Sequence, residues 1–306
     1  MLYLLIILFM LVAALVFVIS KLSRKLAAVF AVLGFPLLIY ASLIEPRWVK
    51  TTRFSVPITG LTAPLTAVVI GDLQPTRLHF SKASMQTIID RAAAEQPDIV
   101  FWVGDYAYQP LLFERLPWLP DPVFFKTEDT VDAMATLTAP MGVYAVLGNH
   151  DWWWNGPEVL RLLGQTQIKT LLDEAVLARH PKTGAALWIA GLEDVSTPRF
   201  TDPNAVVAQT DPSAPIIALT HSPDVLPLVP PQAAFTFAGH THCGQVGVPG
   251  VQQAVAPIQR KEYACGFAAG PEGQRLYVTS GIGTGALPIR FLARPEIVVV
   301  TFVPDG

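Results

Sequence analysis

Cysteine is nearly absent from this chain of 306 residues, which has only Cys243 and Cys265. Two thiols cannot build a disulfide framework, and although they can pair in an oxidising compartment, they do not by themselves fix one. Charge is scarce as well, at 15% of residues against 52% apolar, and the formal net charge of −3 offers no attraction to a polyanion. Nucleic acid is therefore not expected as the main ligand. Repeats and low-complexity tracts are missing. So is a basic region ahead of the first apolar run, which argues against a cleaved signal peptide.

Long apolar runs, by contrast, are concentrated at the N-terminus. Residues 2 to 20, "LYLLIILFMLVAALVFVIS", carry no charge and are long enough to cross a hydrocarbon core of roughly 30 Å as a helix. After "KLSRK" comes a second uncharged run over residues 26 to 44, with Pro36 as a source of a kink. The pattern predicts a transmembrane helical hairpin over residues 1–45 and a juxtamembrane linker over 46–54, with Trp48 at headgroup level. Lys21, Arg24 and Lys25 in the loop balance Arg47, Lys50 and Arg53 after the second run. The first helix usually sets orientation, which places the loop in the cytoplasm and everything after residue 45 outside.

From residue 55 to 306 the composition is that of a globular α/β domain of about 250 residues, large enough to bury a core without disulfides. Apolar, β-branched runs such as "LTAVVIGD", "DIVFWVGD", "GVYAVLGNHD", "PIIALTHSPD" and "AAFTFAGHTH" alternate with turns, and two stretches read as helices, near 81–95 and 156–165. Five of the runs stop at a side chain able to hold a metal: Asp72, Asp105, Asn149 with His150, His221, and His240 with His242. In open α/β sheets ligands bind outside the carboxyl ends of strands, so these groups are expected to converge on one crevice. Carboxylate, imidazole and amide oxygen together suit Mn, Fe or Zn.

The ordered set "GDLQ", "GDYA", "GNHD", "THSPD" and "GHTHCGQV" resembles the calcineurin-like metallophosphoesterases. The ending "GIGTGALPIRFLARPEI" is similar to that of their membrane-anchored bacterial phosphodiesterase branch. The resemblance implies a four-layer αββα sandwich of two mixed sheets with helices outside, set in a bacterial inner membrane by the hairpin. It also implies two metal ions sharing a bridging hydroxide that attacks a phosphate ester. Joined to the membrane hairpin, that favours a lipid-linked or envelope phosphate ester as substrate, with membrane lipid as surroundings. Carried over by position, Asp72 and His242 hold the first ion, Asp105 bridges, and Asn149, His221 and His240 hold the second. His150 then serves as general acid or phosphate-binding cation, with Asp151 as its orienting carboxylate.

This chain departs from the family pattern at Gln74, where the first motif has His. Gln74 can coordinate through its carbonyl oxygen but is a harder, weaker ligand that favours Mn or Mg over Zn. His79, five residues further on, is the other candidate for that place. The departure keeps open a metal-binding, non-catalytic adaptor, and because the family includes monoesterases a phosphomonoesterase of protein-phosphatase type also stands beside the diesterase or pyrophosphatase reading. Around the set, Cys243 is either a metal-reaching thiolate or an inert buried thiol, and Arg290 either a phosphate contact or a surface charge. Glu193 and Asp194 are candidates for orienting histidines. The segment 106–125, with four prolines and apolar Leu111, Leu112, Phe113, Leu116, Trp118, Leu119, Phe124 and Phe125, is either a flap on the core or, with Trp152, Trp153 and Trp154, an apolar wall for an acyl chain.

Overall fold

A computed structural model describes residues 2–75, 79, 81–107, 126–195, 197, 199–285 and 287–305. Helix α1 (Leu2–Leu22) and helix α2 (Arg24–Ile39) pack as a hairpin, with the rings of Phe9 and Phe35 stacked at 6.1 Å. The connection is shorter than the expected loop. Ser23 alone separates the helices, its hydroxyl accepting the N–H of Leu26 at 3.3 Å, so Arg24 and Lys25 open the second helix. The helical path runs through Pro36 and then continues as a π turn (Tyr40–Ile44) and a 3-10 turn (Glu45–Arg47). The stretches Leu5–Leu22 and Arg24–Arg47 are both long and apolar enough to cross a membrane.

Strand β1 (Lys50–Ile58) begins before the expected domain boundary at 55, so the residues expected as the end of a linker are sheet. Its partner explains why the sequence hides this: β1 runs parallel to β12 (Glu296–Pro304), in register from Lys50 opposite Glu296 to Ile58 opposite Pro304. Between them in the chain lie β2 (Leu65–Ile70), β3 (Ile99–Val103), β4 (Val143–Val146), β5 (Ile168–Thr170), β6 (Glu174–Arg179), β7 (Ala186–Gly191), β8 (Ile216–Leu219), β9 (Ala233–Ala238), β10 (Gly266–Ala269) and β11 (Arg275–Val278). They form two six-stranded mixed sheets, ordered β1-β12-β2-β3-β4-β5 and β10-β11-β9-β8-β7-β6.

Strand alternation assigns the layers. Ala67 and Val69 of β2, with Phe101 and Val103 of β3, join Leu187, Ile217, Leu219 and Phe237 in one buried cluster between the two sheets. Their neighbours Val68, Ile70, Val100 and Trp102 point the other way, onto α3 (Lys82–Ala94), α4 (Thr127–Ala135) and α5 (Asn149–Leu163) through Met85, Ile88, Met134 and Val159. The far face of the second sheet is covered by Val206 of the short α6 (Pro203–Val207) and by Val225 and Val229. This is the expected four-layer order.

Helix α3 lies where the sequence predicts a helix, and α5 covers its predicted stretch but begins earlier. It starts at Asn149, so the third motif is its first turn, and Asn155, at φ −175° and ψ 83°, breaks it ahead of Gly156 and Pro157. The stretch expected as a helix from 156 is its second half. The apolar wall expected over 106–125 falls, from residue 108 on, outside the described residues.

Candidate metal centre and active site

The parallel strands β2, β3, β4, β8 and β9 all point their carboxyl ends to one edge of the sandwich. There the chain turns sharply. Asp72, Asp105, His240 and His242 have φ of 52°, 59°, 72° and 47°, the left-handed region that non-glycine residues occupy at a cost of about 1–3 kcal/mol each. Such strain persists only where packing fixes it, and the packing is close. A side chain at Gly104, itself at φ 89°, would put its Cβ 2.5 Å from Nδ1 of His221.

Those turns bring the expected ligands together. Nε2 of His221 lies 3.2 Å from Oδ1 of Asn149, 3.3 Å from Oδ2 of Asp105 and 3.2 Å from Nδ1 of His240. Nδ1 of His221 faces the Val103 carbonyl at 2.8 Å, and Nε2 of His240 faces the Pro257 carbonyl at 3.1 Å, so both rings are held from behind. On the other side, Nε2 of His242 is 3.8 Å from Oδ1 of Asp72. The Asp72 carboxylate also accepts the backbone N–H of His240 at 2.9 Å. Gln74 connects the halves by donating its Nε2–H to Oδ2 of Asp105 at 2.7 Å.

Charge is crowded here. Burial pushes the Asp72 carboxyl up to about 7, the Asp105 carboxylate adding to the rise. Burial acts on Asp105 in the same sense, but the His221 and His150 charges hold it well below the usual carboxylate range. His221 goes up despite its burial, because Asp105 faces it. Burial and the Arg290 guanidinium take His242 down. Two buried carboxylates with convergent imidazoles make a place for cations, and orphaned polar atoms fit the same reading. Oε1 of Gln74 and Nδ1 of His150 are buried without a hydrogen-bond partner, and both residues line a cavity of about 300 Å³ with Asp105, Asn149, His240 and His242. Asp105, His221 and His240 offer ligand atoms within 4.8 Å of one another. The donor set thus fits a pair of divalent ions.

Several expectations need correcting. Asp151 does not orient His150. Its fully buried carboxylate accepts the backbone N–H groups of Asp105, Tyr106, Ala107 and Gly148 at 2.8–2.9 Å, which shapes the turn carrying Asp105. The ring of His150 packs instead near Trp153, centroids 5.1 Å apart. His79 does not replace the missing histidine, because its Nε2 faces the Ser42 carbonyl at 2.9 Å. Cys243 is paired with Cys265, Cα atoms 4.7 Å apart, and is neither a metal-reaching thiolate nor a free thiol. Arg290 is neither exposed nor open to phosphate: it is fully buried among the carbonyls of Ser280, Gly283 and Ala293. Glu193 accepts the indole N–H of Trp152 at 3.1 Å rather than a histidine, whereas buried Asp194 lies close enough to His221 and His240 to favour their protonated forms. Sequence reasoning missed Tyr106, whose hydroxyl donates to the Val146 carbonyl at 2.5 Å and accepts the Gly104 N–H at 3.1 Å, tying the ends of β3 and β4 together.

The family model for the calcineurin-like phosphoesterases matches residues 65–244, which span the candidate ligands from Asp72 to His242. The chain belongs to that family. This phosphoesterase is 25% identical over 266 residues to the metallophosphoesterase YkuE of Bacillus subtilis, covering 86% of this chain and 88% of the relative. It is 26% identical over 278 residues to the phosphodiesterase YaeI of Escherichia coli, covering 86% and 92%. To the UDP-2,3-diacylglucosamine pyrophosphatase LpxG of Chlamydia muridarum it is 23% identical over 330 residues, covering 88% and 94%. It is a metal-dependent phosphoric ester hydrolase of a family that uses a dinuclear site.

Proposed function

We propose that this phosphoesterase is anchored in a membrane and acts as a phosphodiesterase or pyrophosphatase on a lipid-linked phosphate ester, its hydrolytic domain outside the cytoplasm. The observation that carries the reading is the continuity between the cavity and the apolar helices. Gln245, in the cavity wall, donates its Nε2–H to the carbonyls of Leu287 and Ile289 at 2.6 Å. Arg290 in the same loop donates its backbone N–H to the Ala41 carbonyl, at the end of the second apolar helix, at 2.7 Å. Leu287 and Leu292 of this loop are exposed, as are Trp153 and Val255 at the cavity, and exposed apolar side chains beside an anchor suit an acyl chain. The activities in the names of YaeI and LpxG support a diester or pyrophosphate substrate, and the Cys243–Cys265 disulfide suits an oxidising compartment.

In this reading Asp72, Gln74 and His242 would hold one ion of Mn, Fe or Zn and Asn149, His221 and His240 the other, with Asp105 contributing to both. Bound there, the pair supplies Lewis acidity and lowers the pKa of an attacking water. His150, with its buried Nδ1 free of protein partners, would face the phosphate and hold or release a proton at the leaving oxygen. Asp151 keeps the Asp105 turn in shape.

The test is metal analysis of the full chain in detergent micelles, with matched chromogenic diester and monoester substrates. The expected result is close to two metal equivalents and faster turnover of the diester. Bound metal with no turnover of any ester favours the non-catalytic adaptor, and preference for the monoester favours a phosphatase.

A further inference from the structure

We propose that the end of the second apolar helix is part of the catalytic scaffold, and that Arg290 is the positioning residue through which it acts on His242. The inference rests on the two-ion reading of the site.

Residues 40–47 do more than lead into the domain. Glu45 and Ser42 are fully buried, although Ile44 between them is half exposed. Three hydrogen bonds fasten this turn to the domain. The Ala41 carbonyl accepts the Arg290 N–H at 2.7 Å, Oε1 of Glu45 accepts the Ala293 N–H at 2.6 Å, and the Ser42 carbonyl faces Nε2 of His79 at 2.9 Å. The other nitrogen of His79 lies 3.3 Å from the hydroxyl of Thr284. All three therefore end on, or lead to, the loop from Ser280 to Ala293.

That loop braces one half of the metal cluster. Its Gly283 N–H donates to the Asp72 carbonyl at 2.6 Å. The Arg290 guanidinium, wholly buried, donates to the carbonyls of Gly283, Ala293 and Ser280 at 2.5–2.9 Å, which fixes its plane. Its Nη2 then lies 3.3 Å from Nδ1 of His242, on the ring edge away from Asp72. A buried guanidinium is costly unless paired, and Asp72, Glu296 and Glu45 are its charge partners. Glu45 thus serves the loop twice, as acceptor for Ala293 and as counter-charge for Arg290. The other half of the cluster is held differently: His221 by Val103, His240 by Pro257. Loosening the helix end therefore disturbs the Asp72–His242 half and spares the Asn149–His221–His240 half.

The experiment titrates the full chain in detergent micelles with Mn²⁺ by calorimetry, with thermal unfolding of the metal-free protein alongside. Wild type shows two binding steps. Glu45→Ala weakens one of them about 10- to 100-fold, the effect of losing a partner behind a metal ligand, and leaves the other unchanged. Glu45→Gln, whose amide oxygen still accepts the Ala293 N–H, keeps more of that step than Glu45→Ala. Arg290→Lys, which retains charge without the planar fork, reproduces the selective loss and decides the matter if Glu45→Ala does not fold. Equal weakening of both steps, or no weakening, overturns the proposal. A wild-type chain with no Mn²⁺ binding instead overturns the two-ion reading beneath it.

Discussion

The carboxylate of Asp151 accepts the backbone N–H of Asp105 at 2.9 Å, so the third motif holds the second in shape through the main chain. Three further buried N–H groups depend on the same carboxylate. Asp151→Ala leaves them without an acceptor, at about 1–3 kcal/mol for each unsatisfied donor. Urea unfolding and metal analysis are expected to show a marked loss of stability together with loss of metal; unchanged metal content would detach Asp151 from the site.

Binding and chemistry should separate between Asp105 and His150. Asp105→Ala removes the carboxylate that faces both His221 and Gln74, and with it metal and activity. His150→Ala is expected to keep the metal and to lose ~10² to 10⁴ in rate, the range for a proton-transfer group. If His150→Ala empties the site, His150 is a ligand and its role is misassigned.

Gln74→His should tighten metal binding. Gln74 now spends its N–H on Asp105 and offers only a neutral oxygen, Oε1, whereas imidazole is the stronger donor for Zn or Mn. Competition with a fluorescent chelator measures the change, and equal affinities would mean that position 74 does not touch the ion.

A pH effect is expected at Glu193. Burial, with the Asp173 carboxylate nearby, raises its carboxyl from an ordinary 4.5 to about 7. The folded chain therefore binds this proton more tightly than the unfolded chain. The resulting stabilisation is complete below pH 4.5 and is lost as pH rises through about 7. Melting of the metal-free protein should fall less steeply over that range in Glu193→Gln than in wild type, and identical slopes would refute the assignment.

Trp153 is 58% exposed and lines the cavity. Trp153→Ser should leave turnover of a small soluble diester nearly intact and weaken turnover of a diester with an acyl chain. Equal losses on both substrates would place Trp153 in the folding of α5 and not at a lipid contact.

The cluster was legible because strand ends repeat a simple pattern: an apolar run, a glycine or threonine, then a carboxylate, amide or imidazole at Asp72, Asp105, Asn149, His221 and His240. The layers were legible only through the family resemblance, because β2 and β3 are apolar on both faces: Val69 and Phe101 face the second sheet while Val68 and Trp102 face the helices, with no polar residue to mark the difference. What sequence concealed was the identity of partners. Asp151 sits beside His150 in the chain, yet the first turn of α5 sends its carboxylate back to β3. Lys50 and Arg53 read as a membrane flank because nothing local reveals that β12, more than 240 residues later, pairs with them. Arg290 and Glu45 are charges whose burial depends on contacts made across nearly the whole chain.

The place of β12 between β1 and β2 bears on how the protein is made. Strand β1, which leaves the apolar hairpin, is made before the other described strands, and among the described residues its sheet neighbour is β12, which is made after them. While the ribosome is still adding the middle of the chain, at about 5–20 residues per second, β1 has no partner and β2 has an open edge. Both wait as unpaired edges close to the hairpin until Glu296–Pro304 arrives and inserts between them. A chain that stalls or is cut before that strand is complete carries an exposed sheet edge, a ready target for proteolysis or for pairing with another unfinished copy.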